Sequence, residues 1–246
     1  MAESRKPGDR GRGMLDEVFG EMPIPAGMDH FDPSYDRYWT DRMEASIFTE
    51  PARRRARGIL PFISEGDTVL DVGCGTGETL ELLRRERNTA GTGLDISRTA
   101  LDLVSGKGFD TLCQDLTSPG AELEGCWDHI VLFEVAEHVI DAESLLLKLN
   151  GRFRKGLYVT TPNLGYVAHR LRLLFGRFPV TYISDPREHV RYWSVKDFLH
   201  WSVAIGLPRP EAIGLRGKLK LMGLMRRWPS LLASEVLYRF TPDGPR

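Results

Sequence analysis

Cysteine is scarce in this chain, with three among 246 residues. Cys74, Cys113 and Cys126 stand in no metal-ligand spacing, and an odd number leaves no closed disulfide framework. A reducing, cytoplasmic compartment is the expectation. Excess charge of one sign is lacking too, since 33 Lys and Arg face 34 Asp and Glu for a formal net charge of -1. No global field then draws the chain to nucleic acid or to anionic lipid, and no nucleic-acid partner is expected. No apolar run is long enough to span a bilayer. The opening "MAESRKPGDRGRG" is basic, without an apolar stretch behind it, and reads as a flexible tail rather than a leader. No internal repeat or low-complexity block interrupts the text.

What remains is a globular composition, 41% hydrophobic and 27% charged. Residues 1–28 form the tail, 29–64 a helical cap rich in aromatics and charge, and 65–246 one domain. Within the cap, "PARRRARG" reads as a solvated helix face. From Thr68 strands and helices alternate: "TVLDVG", "GETLELLRRER", "AGTGLDI", "SRTALDLVSGKG", "FDTLCQD", "WDHIVLFEV", "DAESLLLKLNGRF", "GLYVTTP". Ser97 is placed to cap the second of these helices. Short connections between alternating elements imply a parallel sheet covered on both faces. After Pro162 come the helix "LGYVAHRLRLLFGRF", the loop "PVTYISDPREHVRYW" and the helix "SVKDFLHWSVAIG", with Ser194 as cap and Gly206 as terminator. "PEAIGLRG" and "SEVLYRFTP" read as closing strands. Between them "KLKLMGLMRRWPSLLA" is basic and apolar, a cover on the substrate side, with peripheral membrane contact as the second reading.

The stretch "LDVGCGTGETL" carries the first chemical signal. Gly73, Gly75 and Gly77 permit a tight turn and close approach of a ligand to backbone. A dinucleotide fingerprint would need glycine at position 78, which is Glu78, a poor neighbour for a pyrophosphate. A nucleoside without phosphates fits better. Asp95 ends the second strand, where a carboxylate can accept from both ribose hydroxyls. Asp115 ends the third, within reach of an adenine amino group. Asp71 precedes the turn and can hold a cationic amino group. These signals suit a nucleoside that carries an amino acid.

On "VLDVGCGTGETL", "GLDIS", "CQDL" and "DHIVLFEVAEHV" the chain resembles the class I S-adenosylmethionine-dependent methyltransferases, over roughly Thr68 to Gly206. The resemblance implies a doubly wound, mostly parallel seven-stranded sheet of the Rossmann-like methyltransferase fold, with an N-terminal helical cap. It implies S-adenosylmethionine as cofactor, contacted by Asp71, Gly73, Cys74, Gly75, Gly77, Asp95, Ile96, Asp115, Leu116 and Glu134. A lid tyrosine is implied as well, and Tyr38 in "YDRYW" is its candidate. The later half, "VTTPNLGYVAHRLRLLFGRFPVT" followed by "WSVKDF", resembles methionine-biosynthesis proteins of the MetW type. "EVAEHV" departs from that group and resembles quinone-biosynthesis O-methyltransferases.

"EVAEH" supplies Glu134, Glu137 and His138, which share one face if the segment forms a helical turn. Two carboxylates and an imidazole at the end of the fourth strand can hold a divalent metal with open positions. The pattern is similar to the metal-binding motif of small-RNA 2′-O-methyltransferases, which implies magnesium or manganese and a further histidine from a downstream loop. "DPREHVRYW" offers His189. Without a metal, His138 and His189 remain candidates for catalysis as base and acceptor-side group, and Glu134 for a cofactor contact. Arg187, Arg191, Tyr192 and Trp193 in the same loop suit a polar, partly apolar acceptor. The expected activity is O-methylation of a small molecule or glycan. The alternative is a non-catalytic partner of a homoserine acyltransferase, as the MetW resemblance implies.

Overall fold

The computed structural model describes residues 18–19, 49–179, 189–217 and 222–244. Tyr38, Arg187, the tail apart from Val18 and Phe19, and most of the cap lie outside the described residues. Helix α1 (Thr49–Ile59) runs into a 3-10 turn (Leu60–Phe62). Strand β1 (Thr68–Val72), helix α2 (Glu78–Arg87), strand β2 (Ala90–Asp95), helix α3 (Arg98–Gly106) and strand β3 (Asp110–Cys113) then alternate as the sequence implies. Strand β4 (Trp127–Phe133) ends in a 3-10 turn (Ala136–His138), followed by helix α4 (Ala142–Leu149) and strand β5 (Phe153–Pro162). Helices α5 (Val167–Leu174) and α6 (Val195–Ala204), strand β6 (Glu211–Arg216), the short helices α7 (Met222–Arg227) and α8 (Pro229–Leu232), and strand β7 (Glu235–Phe240) complete the order.

The seven strands form one sheet in the order β3-β2-β1-β4-β5-β7-β6. β1 to β5 run parallel, while β7 pairs antiparallel with both β5 and β6. The strand order reverses beside β1, so the carboxyl ends of β1 and β4 flank the crevice where open α/β sheets bind ligands.

Side chains alternate across β1. Leu70 and Val72 face a core built with Leu145, Leu146 and Leu149 of α4 and Phe198 of α6. Val69 faces the opposite core, with Leu80 and Leu83 of α2, Val104 of α3, and Ala56 and Ile59 of α1. Helix α1 is therefore built into the domain that the sequence reading begins at residue 65. Its Ala56 and Ile59 are fully buried, Ile63 beyond the 3-10 turn is buried with them, and that burial fixes the helix on the sheet. Ser97 caps α3 by accepting from the N–H of Ala100, and Ser194 with Asp197 forms a reciprocal cap on α6.

The basic segment before β7 does not make one amphipathic helix. Gly223 and Pro229 lie in two short helices, and Met225, Leu232 and Ala233 are buried on the inside of the fold. Among the described residues no helix is long and apolar enough to cross a membrane.

Candidate active site

The glycine turn joins β1 to α2. Gly73, Gly75 and Gly77 have φ of 71°, 51° and 83°, a region that side-chain-bearing residues avoid. Gly73 is also confined by contact, because a Cβ there would stand 2.5 Å from Cγ2 of Val135. The turn thus packs directly on the segment that follows β4. Its backbone is tied to β2, with the N–H of Gly73 donating to the carbonyl of Leu94 over 2.7 Å.

Asp95 does more than the sequence suggests. One carboxylate oxygen accepts from the N–H of Gly75 at 3.1 Å and the other from the N–H of Ser97 at 2.9 Å. Asp71 lies within β1, buried between Gly93 of β2 and Val131 of β4 in the ladder. Burial, then the neighbouring Asp95 and Glu78 carboxylates, push its pKa up to about 8. Three acids around one glycine turn make a place for a cation. Glu78, weighed in the sequence only against pyrophosphate, belongs to this group. Cys74 is buried, and burial raises its thiol well above the usual range. Ile96 is 44% exposed beyond β2, free to cover a flat ligand.

Asp115 and Leu116 sit differently from the expectation. β3 ends at Cys113, and the Asp115 carboxylate accepts from Thr117 N–H, Thr117 Oγ1 and Ser118 Oγ within its own turn. Those bonds hold its pKa below the ordinary value. Leu116 buries its side chain in the core, leaving only backbone for a ligand.

The residues after β4 form the second half of the site. Glu134 has φ 55°, unusual for a side-chain-bearing residue, and its N–H donates to the carbonyl of Thr160 at 3.2 Å. Its carboxylate turns to Arg55, 3.3 Å away, and that guanidinium also meets Glu235 at 2.6 Å. Arg54 reaches the same Glu235 at 2.9 Å. Half of the arginine run of α1 is therefore an ion-pair network at the sheet's end rather than a solvated face. Arg53 and Arg57 keep the solvated role, pairing loosely with Glu50. Sequence reasoning misses Arg55. Two neighbouring arginines mask it, and the helical phase that separates them is the signal that could find it.

Glu137 is almost fully buried, and neither carboxylate oxygen has a hydrogen-bond partner among the described residues. Burial, then repulsion from Glu134, raises its pKa well above the ordinary value. Its carbonyl accepts from the N–H groups of Val190 and Arg191 at 2.9 and 3.1 Å, which brings the downstream loop onto the turn. His138 and His189 meet edge to face there, ring centroids 4.7 Å apart. One ligand atom each from Glu137, His138 and His189 lie within 4.8 Å of one another. Burial and the neighbouring His138 push the His189 pKa down to about 4, which keeps its ring neutral at pH 7. Glu134, expected in this group, is held out of it by Arg55.

Arg191, expected to grip an acceptor, is a clamp instead. It makes two bonds to the Glu143 carboxylate at 2.7 and 2.6 Å, and the Trp201 indole N–H donates to Glu143 at 2.7 Å. Trp193 is buried in the core, while Tyr192 remains 38% exposed beside His189.

A profile of the family described as "Methyltransferase domain" matches residues 43–207. The chain belongs to this methyltransferase family. The match begins ahead of α1, in agreement with α1 sharing the core. The ubiquinone biosynthesis O-methyltransferase of Chromobacterium violaceum is 33% identical over 136 residues, 52% of this chain and 58% of that protein. The 27-O-demethylrifamycin SV methyltransferase of Amycolatopsis mediterranei is 25% identical over 166 residues, 61% of this chain and 56% of that protein. The chain thus spans little more than half the length of these relatives. Among solved structures, a chain from the complex of the Haloferax volcanii Trm112 methyltransferase activator with a methyltransferase superposes with a TM-score of 0.62. It is 16% identical and covers 87% of this chain and 99% of that one. An S-adenosylmethionine-dependent methyltransferase of Archaeoglobus fulgidus gives 0.58 at 16% identity, covering 83% and 100% of the two chains. These likenesses establish the class I methyltransferase fold.

Proposed function

We propose that this protein transfers the methyl group of S-adenosylmethionine to a hydroxyl of a small-molecule or glycan acceptor. One observation carries the reading. The buried Glu137 carboxylate, whose oxygens have no hydrogen-bond partner among the described residues, stands with His138 on the turn after β4, which packs against the glycine turn, and the downstream loop brings His189 to them. The names of the ubiquinone and rifamycin relatives support a small-molecule hydroxyl as the acceptor class.

A methyl on a sulfonium is already activated, so the chain's work is alignment and exclusion of water. In this reading Asp95, whose oxygens also hold the N–H groups of Gly75 and Ser97, takes the ribose hydroxyls, and the acids around the turn suit the cationic end of the cofactor. Ile96 and, in this reading, Tyr38 cover its flat and open sides. The acceptor approaches from the His138–His189 side. In this reading His138 takes the hydroxyl proton at a ring nitrogen as the oxygen bonds to carbon, while His189, whose pKa is pushed down to about 4 and which is therefore the weaker base, lines the acceptor side.

Glu137, His138 and His189 also fit a divalent cation, because the unpartnered Glu137 oxygens gain from a positive partner. A cation held there would lower the pKa of an acceptor hydroxyl and offset charge on its oxygen. Two imidazoles with one carboxylate favour manganese over magnesium.

The test is methyl uptake from labelled S-adenosylmethionine into fractionated cell extract, with Asp95→Ala as the matched control. A labelled product that appears with the wild type and fades with the variant supports the reading. Cofactor binding with no labelled product in any fraction overturns the enzymatic role.

A further inference from the structure

Six consecutive residues, 173 to 178, are exposed at the end of α5. Four are large and apolar: Leu173 at 48%, Leu174 at 76%, Phe175 at 57% and Phe178 at 47% exposure. Phe19, 52% exposed, extends the patch, its ring 5.5 Å from that of Phe175. Scattered exposed apolar residues need no explanation, but a contiguous set of this kind marks an interaction surface.

The exposure is fastened by the fold. The buried Arg172 donates to the carbonyls of Phe178 and Val18 at 2.8 and 3.1 Å, and Arg177 donates to the carbonyl of Phe19 at 2.7 Å. Val18 packs beneath with Tyr166 and Ala168. The apolar rings are thus presented outward by bonds from their own neighbours. The charges beside them have one sign. Residues 164–179 hold Arg170, Arg172 and Arg177 and no Asp or Glu, although the chain as a whole is balanced. Arg170 and Arg177 are exposed at the two ends of the patch.

We infer that this face seats on an anionic lipid surface. Leucine and phenylalanine side chains fit the boundary between headgroups and acyl chains, and flanking arginines fit anionic headgroups. The face lies beside the acceptor side of the site, since the Phe178 ring packs edge to face on Tyr192 with centroids 6.2 Å apart, and the Tyr192 and His189 ring centroids are 6.4 Å apart. Lipid binding stands independently of methyl transfer.

Sedimentation of the full chain with phosphatidylcholine vesicles, with and without phosphatidylglycerol, tests the inference. The protein should pellet with the anionic vesicles, poorly with the neutral ones, and come off as salt rises. Leu174→Glu and Phe175→Glu, both on exposed positions, should each weaken anionic-vesicle binding by about tenfold or more, with melting temperature and cofactor affinity unchanged. No pelleting of the wild type at low salt overturns the inference. So does pelleting that both variants retain, which would place the lipid contact elsewhere. A wild-type dimer that Leu174→Glu dissociates, with no vesicle binding, would show the patch to be an interface between copies and overturn it too.

Discussion

The carboxylate of Asp95 accepts a hydrogen bond from the backbone N–H of Gly75, 3.1 Å away, and so the end of β2 fixes the glycine turn of β1. A residue expected only to meet the ligand also shapes the cradle. Asp95→Ala should therefore lower cofactor affinity by about 1.5–3 kcal/mol, the scale of lost charge-assisted bonds. Calorimetry of cofactor and demethylated product measures it. Unchanged affinity would remove Asp95 from the site.

Gly73 is restricted twice, by its φ of 71° and by Val135, whose Cγ2 would stand 2.5 Å from an added Cβ. Gly73→Ala should cost about 1–2 kcal/mol from backbone strain alone, with more from the contact. A paired Gly73→Ala, Val135→Ala variant relieves only the contact part. Equal melting temperatures of the single and double variants would argue that Val135 does not press on the turn.

Asp71 gives a pH dependence with a definite sign. Its folded pKa of about 8 exceeds the ordinary 3.8, so the folded state holds the proton more tightly than the unfolded state. The stability tied to that proton is complete below the unfolded value and is lost as pH rises towards about 8. A cationic ligand should reverse the shift and release a proton on binding. Asp71→Asn should raise the melting temperature at pH 8 relative to wild type and abolish proton release. Calorimetry in buffers of different ionisation enthalpy reads the release directly.

The strands, the glycine turn and the helix caps are legible in the sequence because each is a local rule: short apolar runs alternating with helical segments, glycines at positive φ, and Ser97 and Ser194 ahead of apolar helices. The cluster of Glu137, His138 and His189 is legible in part. The 3-10 turn of 136–138 follows from short spacing, but His189 reaches it through Glu137's carbonyl, a contact between segments far apart in the chain. Glu134 falls outside the cluster for the same kind of reason. Its direction is set by Arg55 and Glu235, from the first helix and the last strand, and no local pattern joins them. The turn that Thr117 and Ser118 make with the Asp115 carboxylate is not legible from Asp115's place at the end of a strand, because it depends on which neighbours the backbone brings back to it.

Arg55 neutralises two acids that the fold brings together, Glu134 with 23% and Glu235 with 7% side-chain exposure. Burial alone would lower the Arg55 pKa, yet the two carboxylates raise it. Arg55→Ala leaves both acids without their shared cation and should destabilise the fold by about 3–5 kcal/mol. Arg55→Ala with Glu235→Gln should recover part of that loss in urea melts. A melt unmoved by Arg55→Ala would reduce the network to a surface pairing.

The His138–His189 pair is held together by a clamp outside it. Arg191 grips Glu143 through two bonds, while the N–H groups of Val190 and Arg191 hold the Glu137 carbonyl. The clamp fixes the strand of loop that carries His189, so its loss should act through geometry. Arg191→Ala should slow methyl transfer by about tenfold or more and leave cofactor affinity near wild type. Arg191→Lys keeps the charge without the fork and should fall between the two. If the clamp acts through His189, the effects of Arg191→Ala and His189→Ala will not add. The cation proposed for this cluster gives a second measure that needs no acceptor: manganese binding, titrated on the protein and read by electron paramagnetic resonance. His189→Ala and Glu137→Gln should each abolish it, and Arg191→Ala should weaken it. Additive losses in rate, with manganese affinity untouched by Arg191→Ala, would show that Arg191 supports the fold rather than the position of His189.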